Sequence, residues 1–209
     1  MSTAVKELKM NTAVAEENGK MTVKDLITIG IFTVLYFVIF FISAMTGMVP
    51  IMAIFYPALI AFLAGIPCIL FFTKVKKFGM VTIMATLSAV LLALMGYGYM
   101  GIITGLILGL IADLILKSGQ YKSSVKMIIS YVVFSEWVIG TQLPMFIGGN
   151  AYAEAFRETQ GDAFVDELEK LISWGMCGIV IVTTLVAAII GALIGKAVLR
   201  KHFERAGIV

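Results

Sequence analysis

Residues 26–46 read LITIGIFTVLYFVIFFISAMT, an apolar stretch without a charged residue. A transmembrane helix needs about 20 apolar residues to cross a hydrocarbon core of roughly 30 Å, so this stretch predicts a membrane span. Five further stretches of the same kind follow it, at 51–73, 79–95, 99–116, 127–148 and 171–195. The sequence therefore predicts an all-α, polytopic membrane protein with six transmembrane helices.

The composition agrees with this architecture. Of the 209 residues, 60% are hydrophobic and only 14% are charged, whereas a soluble domain carries about 25% charged residues. We expect a mobile cytoplasmic N-terminus at 1–22, a single membrane domain at 23–200 with an outer loop at 149–170, and a cytoplasmic tail at 201–209. This division leaves no room for a soluble catalytic domain.

Most of the basic residues lie on one side of the predicted spans. Fourteen of the 16 occur in the two terminal segments and in the connections 73–78 and 117–126, and the other two, Arg157 and Lys170, lie in the acidic loop 149–170. The connections near 47–50 and 96–98 carry no charge. Lys and Arg accumulate in the cytoplasmic loops of membrane proteins. Both termini are therefore predicted to be cytoplasmic, and the basic residues do not indicate nucleic-acid binding.

The chain shows no catalytic, metal or nucleotide motif. The segment 191–196 resembles a phosphate loop, but that loop needs four residues between its glycines and Ser or Thr after its lysine, and both conditions fail here. Cys68 and Cys177 fall in different spans without metal-ligand spacing, and His202 is the only histidine. We expect no enzyme activity, no metal and no cofactor, so any ATP hydrolysis has to come from other subunits.

Glu136 is the strongest candidate for a functional residue. It lies about ten residues into the fifth span, which at 1.5 Å per residue places it near the middle of the membrane. An ionised carboxylate there costs several kcal/mol unless it is paired or hydrated. We interpret it as a functional residue that faces the bundle interior. The alternative is a protonated glutamate that hydrogen-bonds a neighbouring helix.

Further polar and aromatic residues lie toward the predicted outer half. Gln142 is hard to explain as a lipid-facing residue because its amide has four hydrogen-bonding sites to satisfy, whereas the aromatic residues also fit an interfacial belt. The acidic loop 149–170 is predicted to be helical with a break near Gly161, either as a solvated surface or as a lid. The candidate substrate-binding residues are Glu136, Gln142, Asn150, Trp174, Tyr97, Tyr99, Trp137 and Thr141.

The fourth span carries a ladder of glycines. Gly101, Gly105 and Gly109 recur every four residues and are followed by Asp113, so all four lie on one helical face. Small residues let a neighbouring helix approach closely. Asp113 stands four residues before Lys117, a spacing that favours an ion pair within one helix, and we predict a structural or partner-docking role for it.

Taken together, the size, the six spans and the run from Gly101 to Asp113 resemble the substrate-binding S component of an energy-coupling factor (ECF) transporter. The segment 136–150, which begins Glu-Trp and ends Gly-Gly-Asn, is similar to the Trep_Strep (MptD-like) branch of that group. The resemblance implies a multi-pass protein of the bacterial plasma membrane that captures a vitamin or related micronutrient from outside with high affinity. It also implies docking on a membrane scaffold subunit that binds two ATPase subunits.

S components often carry an Ala-x-x-x-Ala motif on the first span, where they contact the scaffold. The comparable stretch here has Gly30, Thr33 and Val34, which the resemblance implies as docking residues although Val34 departs from the motif. Two alternatives stay open. The first is a proton-coupled carrier that acts alone and uses Glu136, and the second is a membrane scaffold protein without a transport function.

Overall fold

The computed structural model describes residues 20–203, with the side chains of the last two left out. Most of the predicted terminal segments 1–22 and 201–209 therefore lies outside the described residues. Within the described residues, every regular element is a helix. The α-helices are α1 (Val23–Met45), α2 (Pro50–Leu63), α3 (Gly65–Lys74), α4 (Met80–Leu92), α5 (Met100–Ser118), α6 (Ser124–Ser135), α7 (Ile139–Gly148), α8 (Asn150–Glu154), α9 (Arg157–Gln160), α10 (Asp162–Leu171) and α11 (Trp174–Val198).

The helices form six candidate membrane crossings. Five are continuous helices that are long and apolar enough to span a bilayer, with α6 and α7 counted as one because the 3₁₀ turn Glu136–Val138 joins them. The sixth is the pair α2 and α3, which meet at a bend of 48°. The all-α, six-span prediction is confirmed, and the cytoplasmic placement of the termini stays a prediction.

The bend between α2 and α3 follows from proline chemistry. Pro67 has no N–H to offer the carbonyl of Leu63, and its ring crowds that carbonyl, so the helix breaks at Ala64. Pro57 also lies inside α2, but there the helix continues. Pro57 leaves the carbonyl of Ala53 without its usual helical donor, and this free acceptor contributes to the site described below.

In the predicted glycine ladder of α5, Gly105 and Gly109 pack against α4, whereas Gly101 faces Thr141 on α7. A Cβ at Gly109 would lie 2.9 Å from the Cα of Thr82, and one at Gly105 would lie 3.2 Å from the carbonyl oxygen of Ala85. Real Cβ atoms essentially never approach to 2.9 Å, so the separation at Gly109 requires glycine, and a side chain at Gly105 would require α4 to shift by a few tenths of an ångström. A second glycine contact joins α11 to the α2–α3 break, where Gly191 meets Gly65.

The two ends of the bundle differ in charge. The basic end contains the start of α1, the α3–α4 and α5–α6 connections and the end of α11, and it carries the lysines at 74–77 and 117–126. At this end Thr22 and Asp25 form a capping box for α1, and Lys77 pairs with Asp25 at 2.9 Å. The opposite end, here the lid end, is covered by the short helices α8, α9 and α10 (the lid).

Aromatic side chains fill the centre of the bundle. Tyr36 on α1 contacts Phe134 at 5.5 Å and Trp137 at 5.9 Å between ring centroids, and Phe134 contacts Phe72 at 5.9 Å. The pairs Tyr36–Phe134 and Phe134–Phe72 are edge-to-face, a geometry worth about 0.5–1.5 kcal/mol beyond the buried area. The core therefore ties α1, α3 and the fifth span together below the lid end.

Candidate functional site

A cavity of about 150 Å³ lies beneath the lid, at the lid end of the bundle. Its floor comes from α2, the turn after α4, and α7, and its roof comes from the lid. None of its lining residues is charged. The lining residues are Gly47, Ala53, Tyr56, Tyr97, Thr141, Gln142, Met145, Tyr152, Phe156, Gln160, Phe164 and Leu168.

Gln142 lines this cavity and carries a buried acceptor that has no partner among the described residues. Its amide nitrogen donates to the carbonyl oxygens of Ala53 at 3.0 Å and Ile54 at 2.9 Å, and the first of these is the carbonyl that Pro57 leaves free. Because carbonyl oxygens only accept, these two bonds fix the orientation of the amide group. Gln142 is only 4% exposed, and its Oε1 has no hydrogen-bond partner among the described residues.

Tyr56 supplies a second acceptor. The hydroxyl of Thr141 donates to the carbonyl oxygen of Val138 at 2.7 Å and lies 2.8 Å from the hydroxyl of Tyr56. The single hydroxyl proton of Thr141 is used in the hydrogen bond to Val138. In the contact between Thr141 and Tyr56, the Tyr56 hydroxyl therefore has to be the donor. The Tyr56 oxygen is left with lone pairs only. The cavity floor therefore offers acceptors to a ligand that brings hydrogen-bond donors.

Aromatic rings form the walls. Phe40 on α1 supports two of them edge-on, Tyr56 at 5.8 Å and Tyr97 at 5.4 Å between centroids. In the lid, Tyr152 contacts Phe156 at 5.2 Å, and burial, with a smaller effect of Tyr97, raises the pKa of the Tyr152 hydroxyl. Its proton is therefore held at neutral pH, and the site stays uncharged. Apolar walls with a few oriented polar groups are typical of small-molecule sites.

The lid packs against the bundle through apolar side chains, and its three helices are joined by hydrogen bonds from Arg157 (the Arg157 clasp). Val165 and Leu168 of α10 are buried in a cluster with residues of α2, α7 and α11. On the outer surface Arg157 hydrogen-bonds three acids, Glu154 at 2.6 Å and 2.8 Å and Asp162 and Asp166 at 3.0 Å each. These bonds connect α8, α9 and α10 across the breaks between them, so the three helices are joined into one cover.

Comparison with known proteins gives one match. A family model described as a hypothetical bacterial integral membrane protein (Trep_Strep) matches residues 23–205. The chain belongs to the Trep_Strep family. No curated protein and no solved structure matches it. Family membership agrees with a multi-pass protein of the bacterial plasma membrane, as predicted.

For this Trep_Strep chain, three of the eight predicted substrate-binding residues line the cavity, namely Gln142, Thr141 and Tyr97. The others lie elsewhere. Tyr99 and Trp174 are 66% and 65% exposed at the surface of the lid end, where an interfacial position suits them. Asn150 is exposed at the start of α8, and Trp137 is buried against Tyr36 in the aromatic core.

Glu136 does not line the cavity. It begins the 3₁₀ turn that joins α6 to α7, about one helical turn along the chain from Thr141. This turn contacts α5 and α11, and Thr104 on α5 donates to the carbonyl oxygen of Trp137 at 2.8 Å. Both carboxylate oxygens of Glu136 are buried and have no hydrogen-bond partner among the described residues. The helix-locking hydrogen bond considered for Glu136 is therefore absent from the described part.

Asp113 caps a helix. It is fully buried and accepts hydrogen bonds from the backbone N–H of Thr82 at 2.8 Å, the Thr82 hydroxyl at 2.5 Å and the backbone N–H of Val81 at 3.4 Å. Gly79, at the N-cap of α4, has no side chain to do this. Asp113 thus satisfies, from α5, the free N–H groups at the start of α4.

Two expectations about Asp113 change as a result. Lys117 does not pair with it and lies 5.4 Å from the ring centroid of Phe78 instead, so the predicted ion pair is wrong. A partner protein has no access to the carboxylate, because the side chain is fully buried against α4. The structural role predicted for Asp113 is the one that its contacts explain.

The predicted docking residues of α1 divide between two faces. Val34 is 62% exposed, and a Cβ at Gly30 would meet no atom within 4 Å. Thr33 points inward, and its buried hydroxyl has no hydrogen-bond partner among the described residues. Gly30 and Val34 therefore share an open apolar surface, whereas Thr33 belongs to the packed interior.

Most of the cavity lining was not predicted from the sequence. The lid residues Tyr152, Phe156, Gln160, Phe164 and Leu168 recur every four positions, which is the spacing of one helical face. This periodicity was available in the sequence and marks the side of the lid that faces the cavity. Tyr56 had a weaker indication, because it stands next to a proline that frees a carbonyl.

Proposed function

We propose that this chain is the substrate-binding S component of an ECF-type importer, and that the cavity beneath the lid holds its substrate. The observation that carries the proposal is that Gln142, which lines the aromatic-walled cavity, has a buried Oε1 without a hydrogen-bond partner among the described residues. A buried acceptor without a donor costs about 1–3 kcal/mol, and a ligand that donates a hydrogen bond removes this cost.

The lining indicates the chemistry of the substrate. No lining residue is charged, so an ionic ligand would lose its hydration without a counter-ion. Gln142 and Tyr56 offer acceptors, and five of the lining residues carry aromatic rings. The substrate that fits is a small, flat, uncharged molecule with N–H or O–H donors on one edge, which agrees with a vitamin or related micronutrient.

The position of the lid indicates the side from which the substrate enters the cavity. It covers the end of the bundle that is opposite to the basic end, and the charge rule places that end outside the cell. Capture at the outer face and delivery through a scaffold subunit with two ATPase subunits then follow from the resemblance. The open surface around Gly30 and Val34 is the proposed contact with the scaffold.

Ligand binding is tested first on the purified protein. Isothermal titration and thermal melting with a panel of vitamins, nucleobases and related heterocycles should find an uncharged, donor-bearing ligand of high affinity. Gln142→Leu should weaken its binding about tenfold, the loss of roughly one good hydrogen bond. If only charged compounds bind, or if Gln142→Leu leaves the affinity unchanged, the cavity is not the substrate site.

Coupling is tested by co-expression with an ECF scaffold and its ATPases. Gly30→Leu should abolish co-purification, because a large side chain would project from the docking surface. Gly178→Leu is the matched control, since it also places leucine where a Cβ meets no atom within 4 Å, but on α11. If the wild-type chain fails to co-purify, or if both variants behave alike, the proposed coupling is refuted.

A carrier that acts alone is the second candidate, favoured by the buried carboxylate of Glu136, which has no hydrogen-bond partner in the described range 20–203. It predicts ligand uptake into proteoliposomes without ATPases, driven by a proton gradient and lost in Glu136→Gln. The S-component proposal expects no such uptake. It also expects Glu136→Gln to keep ligand affinity, because Glu136 does not line the cavity.

A further inference from the structure

Two adjoining cavities lie at the basic end, far from the lid. They share Thr73 and Tyr121, and their volumes are about 280 Å³ and 360 Å³. The end of α3, the α5–α6 connection, the start of α6 and the end of α11 surround them. The first is lined by Ile69, Thr73, Tyr121, Ser124, Met127, Ile128, Lys196, Leu199 and Arg200, and the second by Thr73, Val75, Lys76, Gln120, Tyr121 and Lys122.

Four basic residues line these cavities, and no acid does. Lys196 and Arg200 lie in the first cavity, and Lys76 and Lys122 lie in the second. None of the four forms an ion pair with a described residue. The described acids at this end are already engaged, Asp25 with Lys77 and Asp113 in the cap of α4. The cavities therefore concentrate positive charge that lacks a partner.

The polar lining adds uncharged groups suited to an anion. Ser124 is the first residue of α6. The N-cap Ser123 accepts from the N–H of Lys126, and the N–H groups of a first helical turn that are not capped in this way can bind an anion. Gln120 and Tyr121 adopt left-handed backbone conformations, with φ of 51° and 57°, which are uncommon for residues other than glycine. This turn brings Tyr121 to the boundary of both cavities.

The apolar lining distinguishes a lipid from a free anion. Ile69, Met127, Ile128 and Leu199 form one wall of the first cavity. The outer faces of α6 and α11 continue this wall with exposed apolar side chains, among them Ile129 and Leu193. A phosphate in the cavity would thus have hydrocarbon beside it, as the headgroup of a membrane lipid does.

We propose that these cavities bind the phosphate headgroup of an anionic phospholipid, with its acyl chains along α6 and α11. Lys196 and Arg200 contact the phosphate, and Lys76 and Lys122 attract further negative charge on the headgroup. Basic pockets between transmembrane helices on the cytoplasmic side commonly bind anionic headgroups. The site does not depend on the identity of the substrate beneath the lid.

The test is a lipid titration of the detergent-purified full chain, followed by native mass spectrometry. Phosphatidylglycerol should bind at low concentration, and phosphatidylcholine, which has no net charge, should not. The double variant Lys196→Ala/Arg200→Ala should lose affinity for phosphatidylglycerol by about tenfold or more. Lys126→Ala is the matched control, because this exposed lysine lies at the same end but lines neither cavity, and it should bind as the wild type does.

Three outcomes would overturn the proposal. Equal binding of the two lipids would show that charge is not recognised. Displacement of the lipid by excess inorganic phosphate would indicate a site for a free anion. Unchanged affinity in the double variant would place the lipid elsewhere. Thermal melting without added lipid checks that the variants fold, and the single variants Lys196→Ala and Arg200→Ala replace the double variant if it does not.

Discussion

Gln142 donates a hydrogen bond of 3.0 Å to the carbonyl oxygen of Ala53, which Pro57 leaves without a helical donor. A defect in the hydrogen bonding of the second span therefore determines the orientation of an amide on the fifth. Because its N–H groups are engaged with α2, Gln142 can only accept a hydrogen bond from a ligand. The hydrogen bonds between these two helices therefore determine that Gln142 offers an acceptor, and not a donor, to a ligand.

The first prediction concerns the shape and polarity of the Gln142 side chain. Gln142→Glu keeps its size but, when ionised, has no N–H for the carbonyl oxygens of Ala53 and Ile54, so both lose the hydrogen bond from residue 142. We expect it to lower the free energy of unfolding by about 1–3 kcal/mol or more, measured by thermal melting in detergent. Asn150→Ala, at an exposed position outside the cavity, is the control and should have the same melting temperature as the wild type. Equal melting of Gln142→Glu and the wild type would contradict the described bonds.

The second prediction separates ligand affinity from stability. Pro57→Ala restores an N–H that competes with Gln142 for the Ala53 carbonyl, and it removes a residue that disfavours helices. The variant should melt at the same temperature as the wild type or higher, yet bind the ligand more weakly, because the Gln142 amide is no longer fixed. Titration calorimetry measures the affinity. If affinity is unchanged while stability rises, the free carbonyl does not orient the amide.

The third prediction tests the contact between α11 and α2. A Cβ at Gly191 would lie 2.6 Å from the carbonyl oxygen of Phe62 and 2.8 Å from that of Ala61, so the helices would have to separate. Gly191→Ala should therefore cost about 1–3 kcal/mol of stability. Gly178→Ala, on the same helix with no atom within 4 Å of its Cβ, should cost nothing. Thermal melting that ranks the two variants the other way would refute the packing.

The fourth prediction concerns the Arg157 clasp. Arg157→Ala should speed hydrogen exchange in α8 to α10 and ligand release, with little change in melting, because exposed ion pairs contribute little to stability. Lys170→Ala breaks an exposed pair within α10 alone, 2.6 Å from Glu167, and should leave lid exchange as it is. If both variants open the lid equally, Arg157 does not act as the clasp.

The clasp also has a pH dependence of known sign. The hydrogen bond from Arg157 holds the pKa of Glu154 below its ordinary value of 4.5. A carboxylate with a lowered pKa contributes fully above its ordinary value, and the contribution is lost as the pH falls through the lowered pKa. Wild-type lid exchange should therefore rise below about pH 4.5 and approach that of Arg157→Ala, which should change less over the same range.

Long apolar runs and short local patterns were sufficient for the architecture. The run 26–46 corresponds to α1, the ladder from Gly101 to Gly109 packs as a close helix contact, and Gly161, with φ of 84°, ends α9 where the lid was expected to break. Each of these depends on residues near one another in the chain. Desolvation and backbone sterics act there without any need for a distant partner.

The individual site residues were predicted less well. Glu136 and Trp137 stood out by type and depth, but a helix has several faces, and the sequence does not state which neighbour each one meets. Trp137 turned toward Tyr36, and Glu136 away from the cavity lining. Tyr56 went unselected because its importance comes from Thr141, which lies 85 positions away.

The sequence by itself determined that this protein has six candidate membrane crossings, that most of its positive charge lies at one end, and that α5 packs closely through glycine. These properties follow from hydrocarbon thickness and from the absence of a Cβ. Only the tertiary structure decided that Asp113 caps α4, that the lid covers Gln142, and that no described residue donates to Oε1 of Gln142. Such outcomes depend on which polar atoms of different helices meet, because a buried hydrogen bond is set by geometry across the bundle and not by residue type.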